Sequence, residues 1–127
     1  NKNAGWNFQW DWNERLQFTI YKKDEHYSWH SDQNSNLYKE KNKHFNGKIR
    51  KLSLTLQLTD KKKYEGGDFQ FKWIKDKKDL VEVVTVDDAK DIGTIIVFPS
   101  FIYHQVSPVT KGKRESLVNW SIGKPFV

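Results

Sequence analysis

An antiparallel all-β sandwich or barrel is the fold that this 127-residue sequence predicts. Three observations predict it. Apolar residues alternate with polar ones in seven short runs, no segment shows a convincing helical period, and turn signals separate the runs. Without crossover helices the strands must pair antiparallel. At 15.1 kDa the chain is expected to be one domain, residues 1–127, large enough for a real core.

The elements follow in chain order. "NAGWNFQWDWN" (3–13) carries Trp6, Trp10 and Trp12 and reads as a strand lying against the barrel. "RLQFTIYK" (15–22) alternates Leu16, Phe18 and Ile20 with polar residues. "KLSLTLQLTD" (51–60) sets four leucines, 52, 54, 56 and 58, against Ser, Thr and Gln. "DFQFKWI" (68–74), "LVEVVTV" (80–86), "GTIIVF" (93–98), "FIYHQV" (101–106) and "SLVNWSI" (116–122) complete the set. Turns are expected at "EGGD" (65–68), "DDAKDIG" (87–93), "FPS" (98–100) and "SPVTKGK" (107–113). Gly66-Gly67 is read as the turn that pairs "KLSLTLQL" with "DFQFKWI". The long irregular piece, "QNSNLYKEKNKHFNGK" (33–48), is polar and basic and is expected to act as a lid.

Composition narrows the function. Aromatics at 15% and charged residues at 30% describe a globular chain. The absence of Cys excludes disulfide frameworks, Cys-zinc sites and thiol catalysis, and suits a reducing, cytoplasmic setting. No apolar run approaches the ~20 residues of a membrane span. The absence of Met is unusual for a complete gene product, so spacing carries most weight over short stretches. The net charge of +6 comes from 22 bases interspersed with 16 acids. That pattern reads as a solvated surface, with an anionic partner such as nucleic acid as the alternative.

The chemistry starts at "YKKDEHYSWHSD" (21–32). On a strand, His30 and Asp32 point to one face, giving two corners of a 2-His-1-carboxylate metal site. Alone, His-x-Asp is more simply an exposed polar strand. His26 and His44 read as surface, which leaves His104 as the candidate third ligand, although a buried structural His explains that residue as well. "HQVSPVTKGKR" reads as strand, turn, strand, placing Arg114 nearly opposite His104 across a hairpin. A guanidinium there can meet a carboxylate bidentately while the carboxylate's other end chelates a metal. Tyr21 could donate a hydroxyl to the same carboxylate.

Together these residues resemble the Fe(II)/2-oxoglutarate-dependent dioxygenases, in the prolyl 4-hydroxylase-like branch. The likeness runs over roughly residues 15–126. It rests on Tyr21 with "HSD", on "RKLSLTLQLTD…YEGGDFQF", on "GTIIVFPSFIYHQVSPVTKGKR" and on "LVNW". The resemblance implies a double-stranded β-helix (jelly-roll, cupin-like) with little helical support, the usual N-terminal bracing helices being absent. It implies His30, Asp32 and His104 as catalytic iron ligands, and Arg114 with Tyr21 as the 2-oxoglutarate site. Fe(II), 2-oxoglutarate and O2 are the implied cofactors, with ascorbate as an optional further reductant. The implied reaction hydroxylates a prolyl residue of a protein or peptide and releases succinate and CO2. Two alternatives stand beside it. A nucleic-acid demethylase of the same chemistry usually has a second Arg where this chain has Trp120, and a non-enzymatic β-barrel binding module would bind no metal.

Overall fold

The alternating runs become strands of two facing sheets. The computed structural model of the chain describes residues 1–33, 36–75 and 80–126. The strands are β1 (Trp12–Asn13), β2 (Gln17–Tyr21), β3 (Tyr27–His30), β4 (Ile49–Gln57), β5 (Tyr64–Gly66), β6 (Phe69–Ile74), β7 (Val81–Thr85), β8 (Ile95–Pro99), β9 (Tyr103–Val106), β10 (Val109–Gly112) and β11 (Arg114–Gly123). Among the described residues the only helical pieces are two short 3-10 turns, Lys61–Lys63 and Asp87–Lys90. None is long and apolar enough to cross a membrane. Part of the "KDKKD" run, residues 76–79, and residues 34–35 of the expected lid lie outside the described residues.

The larger sheet runs β8, β4, β11, with β1 and β2 both paired to the far edge of β11. The smaller sheet runs β3, β9, β6, β7. Every pairing is antiparallel, and β5 with β10 makes a separate two-stranded ribbon. This is the double-stranded β-helix arrangement.

The larger sheet is turned with its polar side inward. Along β4, Ser53, Thr55 and Gln57 are buried, whereas Leu54 and Leu56 are only half-buried. Phe18 and Ile20 on β2 and Ile95 and Val97 on β8 are exposed on the leucine side. The leucine period therefore marks the outer face of this sheet. The apolar core lies between the sheets, where Phe69 and Val106 of the smaller sheet pack with Phe98 of β8 and with Ala89 from the 3-10 turn Asp87–Lys90.

Two expected pairings do not form. His104 and Arg114 are not partners in a hairpin: β9 pairs with β3 and β6, while β11 pairs with β4 and β2. The residues between them form β10, which pairs with β5 and carries the chain from one sheet to the other. Nor does the Gly66-Gly67 turn pair β4 with β6, which belong to opposite sheets. Gly66 serves a different need. Its φ is +72°, and a Cβ there would run into the Pro108 carbonyl oxygen where β10 crosses β5.

Candidate active site

The two sheets bring the sequence candidates to one cavity of about 430 Å³, lined by Tyr21, His30, Asp32, His104 and Arg114 among others. That volume is in the range of small-molecule sites, ~300–1,000 Å³. His30 ends β3 and sits directly across from His104 on β9. Asp32 lies just beyond β3, not on it. The chain after His30 leaves the sheet because Ser31 Oγ and the Gln33 N–H both donate to the Ser100 carbonyl, at 3.1 and 3.0 Å. That tether swings the Asp32 carboxylate back between the two imidazoles.

Ligand atoms of His30, Asp32 and His104 lie within 4.8 Å of one another. His30 Nε2 is 3.2 Å from Asp32 Oδ1, and His104 Nε2 is 3.5 Å from Oδ2. Each ring's Nδ1 faces a carbonyl oxygen, Ser28 at 2.7 Å and Ile102 at 2.9 Å. A carbonyl only accepts, so Nδ1 carries the proton and the Nε2 lone pair points at the carboxylate. Two lone pairs and a carboxylate aimed at one point repel unless a cation, or a proton, stands between them. The donor set of two neutral imidazoles and one carboxylate suits Fe(II), and a facial triad leaves positions open for further ligands.

Asp32 is buried yet ionised. Burial pushes its carboxyl up, but the His30 ring, the His104 ring, the Ser53 hydroxyl and the Trp120 indole together hold it down at about 2. Ser53 Oγ donates to Oδ2 at 2.6 Å and Trp120 Nε1 at 2.9 Å. Both donors fall on Oδ2, so Oδ1 is the freer oxygen for a metal. Burial among Phe69 and Phe98 pulls the His104 pKa below its ordinary value against the pull of Asp32, which keeps the imidazole neutral as a metal ligand requires.

The second cluster lies on the larger sheet. Arg114 opens β11 and sits directly opposite Tyr21, which closes β2. Arg114 is only 2% exposed, and among the described residues no carboxylate pairs with it. Its Nη1 makes one long bond of 3.4 Å to Ser116 Oγ, and its guanidinium lies 5.8 Å from the Tyr21 ring centroid. Burial lowers its pKa, and only the Tyr64 and Tyr21 hydroxyl groups oppose that. A buried cation so poorly matched calls for an anion. Burial raises the Tyr21 pKa over the opposing effect of Arg114, so the hydroxyl stays a donor. Two pairs further along, the Thr19 hydroxyl is buried without a partner and also lines the cavity. Cation, hydroxyl donors and an orphan polar atom together fit a small dicarboxylate such as 2-oxoglutarate.

Three contributors were not singled out from the sequence, and a fourth reads there mainly as core. Ser53 and Thr19 are the inward, polar members of alternating runs, a position that could have marked them. Trp120, which the sequence reads most simply as core and alternatively as lining the cosubstrate pocket, lines the cavity and donates to Asp32. Tyr64 reaches Arg114 only because β5 folds beneath β10. The segment 36–48, expected as a lid, is seated on the N-terminal strand: Lys48 Nζ meets Asp11 at 2.6 Å, and His44 stacks on Trp12 at 3.9 Å.

Residues 16–122 match the family model of the 2OG-Fe(II) oxygenase superfamily. The chain belongs to that superfamily. Its members take Fe(II), 2-oxoglutarate and O2, and the cavity residues fit the first two. Among curated proteins, a PKHD-type hydroxylase of Gloeothece citriformis is 38% identical over 69 residues, covering 54% of this chain and 28% of that one. A PKHD-type hydroxylase of Pseudoalteromonas atlantica is 32% identical over 104 residues, covering 82% of this chain and 41% of that one. The chain thus spans less than half the length of these relatives. Among solved structures, a Pseudomonas putida prolyl-4-hydroxylase superposes with a TM-score of 0.62 at 21% identity, over 94% of this chain and 57% of that one. That likeness is one of fold.

Proposed function

We propose that residues 1–127 form one catalytic domain of an Fe(II)- and 2-oxoglutarate-dependent hydroxylase acting on a prolyl residue of a protein or peptide. One observation carries the reading: the three-ligand cluster and the unpaired Arg114 cation share a single cavity. His30, Asp32 and His104 would hold Fe(II), and Arg114, Tyr21 and Thr19 would hold the distal carboxylate of 2-oxoglutarate. When bound, the metal and cosubstrate supply O2 activation that ends in succinate, CO2 and a hydroxylated product.

The chain's own residues prepare that chemistry. Ser28 and Ile102 fix both imidazole tautomers, so Nε2 is available without loss of a proton. Ser53 and Trp120 hold Asp32 in one orientation. Arg114 orients the cosubstrate through a planar fork that a lysine cannot reproduce. The Phe69 and Phe98 rings beside His104 keep water from that side of the cluster. The prolyl preference is supported by the PKHD-type and prolyl-4-hydroxylase names of the similar proteins.

The test is anaerobic addition of Fe(II) and 2-oxoglutarate, which in such sites gives a weak visible charge-transfer band. The band is expected in the wild type and lost in His30→Ala, and succinate release in air is expected to rise with a prolyl peptide. A wild type without a band, or a band surviving both His30→Ala and Arg114→Ala, sinks the iron assignment. Succinate release indifferent to prolyl peptides sinks the substrate assignment.

A further inference from the structure

Trp120 is gripped from behind as well as bonded in front. Its Nε1 donates to Asp32 Oδ2 at 2.9 Å, and the Arg50 guanidinium lies over its ring at 3.8 Å from the centroid. A cation so close to an indole face is attracted by the ring's quadrupole. It also draws electron density from the ring, which makes the N–H a better donor. Arg50 is itself clamped. Its Nε and Nη2 donate to the two oxygens of Glu14 at 2.7 and 2.9 Å, a fork-to-fork pair. The side chains of this pair are only 22% and 13% exposed, so it is not a solvated surface contact.

Glu14 is fixed in turn. Its backbone N–H donates to the Trp120 carbonyl at 2.9 Å, and its carbonyl accepts from Asn119 Nδ2 at 2.7 Å. The Tyr38 hydroxyl donates to its Oε1 at 2.6 Å. The chain Glu14, Arg50, Trp120, Asp32 is therefore continuous, from a residue ahead of β2 to a candidate metal ligand. Arg50 makes no hydrogen bond to a ligand atom of the cluster; it lines the same cavity, its charge acts on Asp32 through space, and its one contact that bears on the carboxylate's orientation is with the indole.

We propose that Arg50, clamped by Glu14, is a positioning residue for the metal centre: it locks the Trp120 ring so that its N–H stays on Asp32 Oδ2 and Oδ1 stays free for the metal. The inference rests on the Fe(II) reading for its consequence, not for its first step. That first step is visible without metal. In the metal-free protein the Trp120 indole N–H, assigned by its loss in Trp120→Phe, should give a downfield, exchange-protected NMR signal. Arg50→Leu should shift that signal upfield and speed its exchange.

The consequence is read by anaerobic Fe(II) titration of wild type, Arg50→Leu, Trp120→Phe and the double variant. Removing a group that orients a ligand typically weakens metal binding roughly 10–100-fold. Each single variant is expected to lose about tenfold, and the double no more than Trp120→Phe alone, because the two act in series. Should Arg50→Leu melt at working temperature, Arg50→Lys and Glu14→Gln serve instead, with smaller losses in the same direction. An unchanged Trp120 signal, unchanged Fe(II) affinity in Arg50→Leu, or losses that multiply in the double variant would overturn the proposal. A wild type that binds no Fe(II) removes the metal reading, and the NMR result then stands apart as evidence on the indole clamp alone.

Discussion

Replacing Arg114 by Met separates what this residue does for folding from what it does for binding. The side chain is unbranched and of similar volume, so packing beside Gly67, where Arg114 Cδ lies, is largely kept. What disappears is a buried charge that no carboxylate among the described residues balances. Replacing buried charged groups with apolar ones of similar volume is often neutral or stabilising by about 1–4 kcal/mol. Tyr21, Tyr64 and Ser116 compensate Arg114 in part, so a gain of about 1–2 kcal/mol is expected. For a domain of this size that raises Tm by roughly 4–8 °C.

Binding should move the other way. A guanidinium fork on a carboxylate makes two charge-assisted bonds of about 1.5–3 kcal/mol each. Their loss should weaken 2-oxoglutarate by about 3–4 kcal/mol, or roughly 10²–10³-fold. Titrating the charge-transfer band with 2-oxoglutarate under anaerobic Fe(II) measures this, and melting of the metal-free protein measures stability. Fe(II) affinity itself should not change, since Arg114 touches no ligand. A 2-oxoglutarate affinity within about threefold of wild type would refute the assignment. So would a fall in Tm accompanied by intact binding, because Arg114 would then be a structural cation and not an anion site.

Further outcomes follow from the same contacts. Ser53→Ala leaves Asp32 with Trp120 alone on Oδ2, and loss of one buried bond to a charged group should destabilise the metal-free protein by about 1.5–3 kcal/mol in urea unfolding. Gly66→Ala forces a side chain onto a φ of +72° and against Pro108, and should lose at least about 2 kcal/mol by the same measurement while the Fe(II) site, if folded, binds normally. Metal-free stability should fall with acid in two stages. His104, whose folded pKa lies below its ordinary 6.5, resists the proton that the unfolded chain accepts, so stability declines as pH drops past that value. Asp32, lowered from 3.8 to about 2, contributes about 2 kcal/mol above pH ~4, lost as pH falls through ~2. Melting curves of Asp32→Asn should lack the second stage.

How much of this could be read from the sequence depends on how local each signal is. Period two located seven of the eleven strands, because alternation over five or more residues is a property of the run itself. It missed β5 and β10, only three and four residues long, whose existence depends on each other. That omission produced the false hairpin. With β10 counted as turn, His104 and Arg114 fell opposite each other in one sheet, whereas they occupy facing sheets. Both nonetheless line one cavity, since facing sheets and paired strands alike bring side chains together.

Alternation also carries no sign. "KLSLTLQL" announces a strand with one apolar and one polar face, and the ordinary expectation buries the leucines. Here Ser53, Thr55 and Gln57 are buried, whereas of the four leucines only Leu52 is, because the inner face of this sheet faces a carboxylate, a guanidinium and a polar cavity. A sheet that turns its Ser and Thr residues inward cannot draw its stability from that face, and the exposed Phe18, Ile20, Ile95 and Val97 show that it does not draw it fully from the other. Most of its inner donors are satisfied instead: Ser53 by Asp32 and Ser100, the Gln57 amide N–H groups by Thr59 and Tyr64. The exceptions are Thr19 Oγ1 and Gln57 Oε1, both buried without a partner, and Arg114, poorly matched and two register pairs from Thr19. Thr19 and Arg114 line one cavity with the His30, Asp32 and His104 cluster, and on that geometry the proposed 2-oxoglutarate site rests.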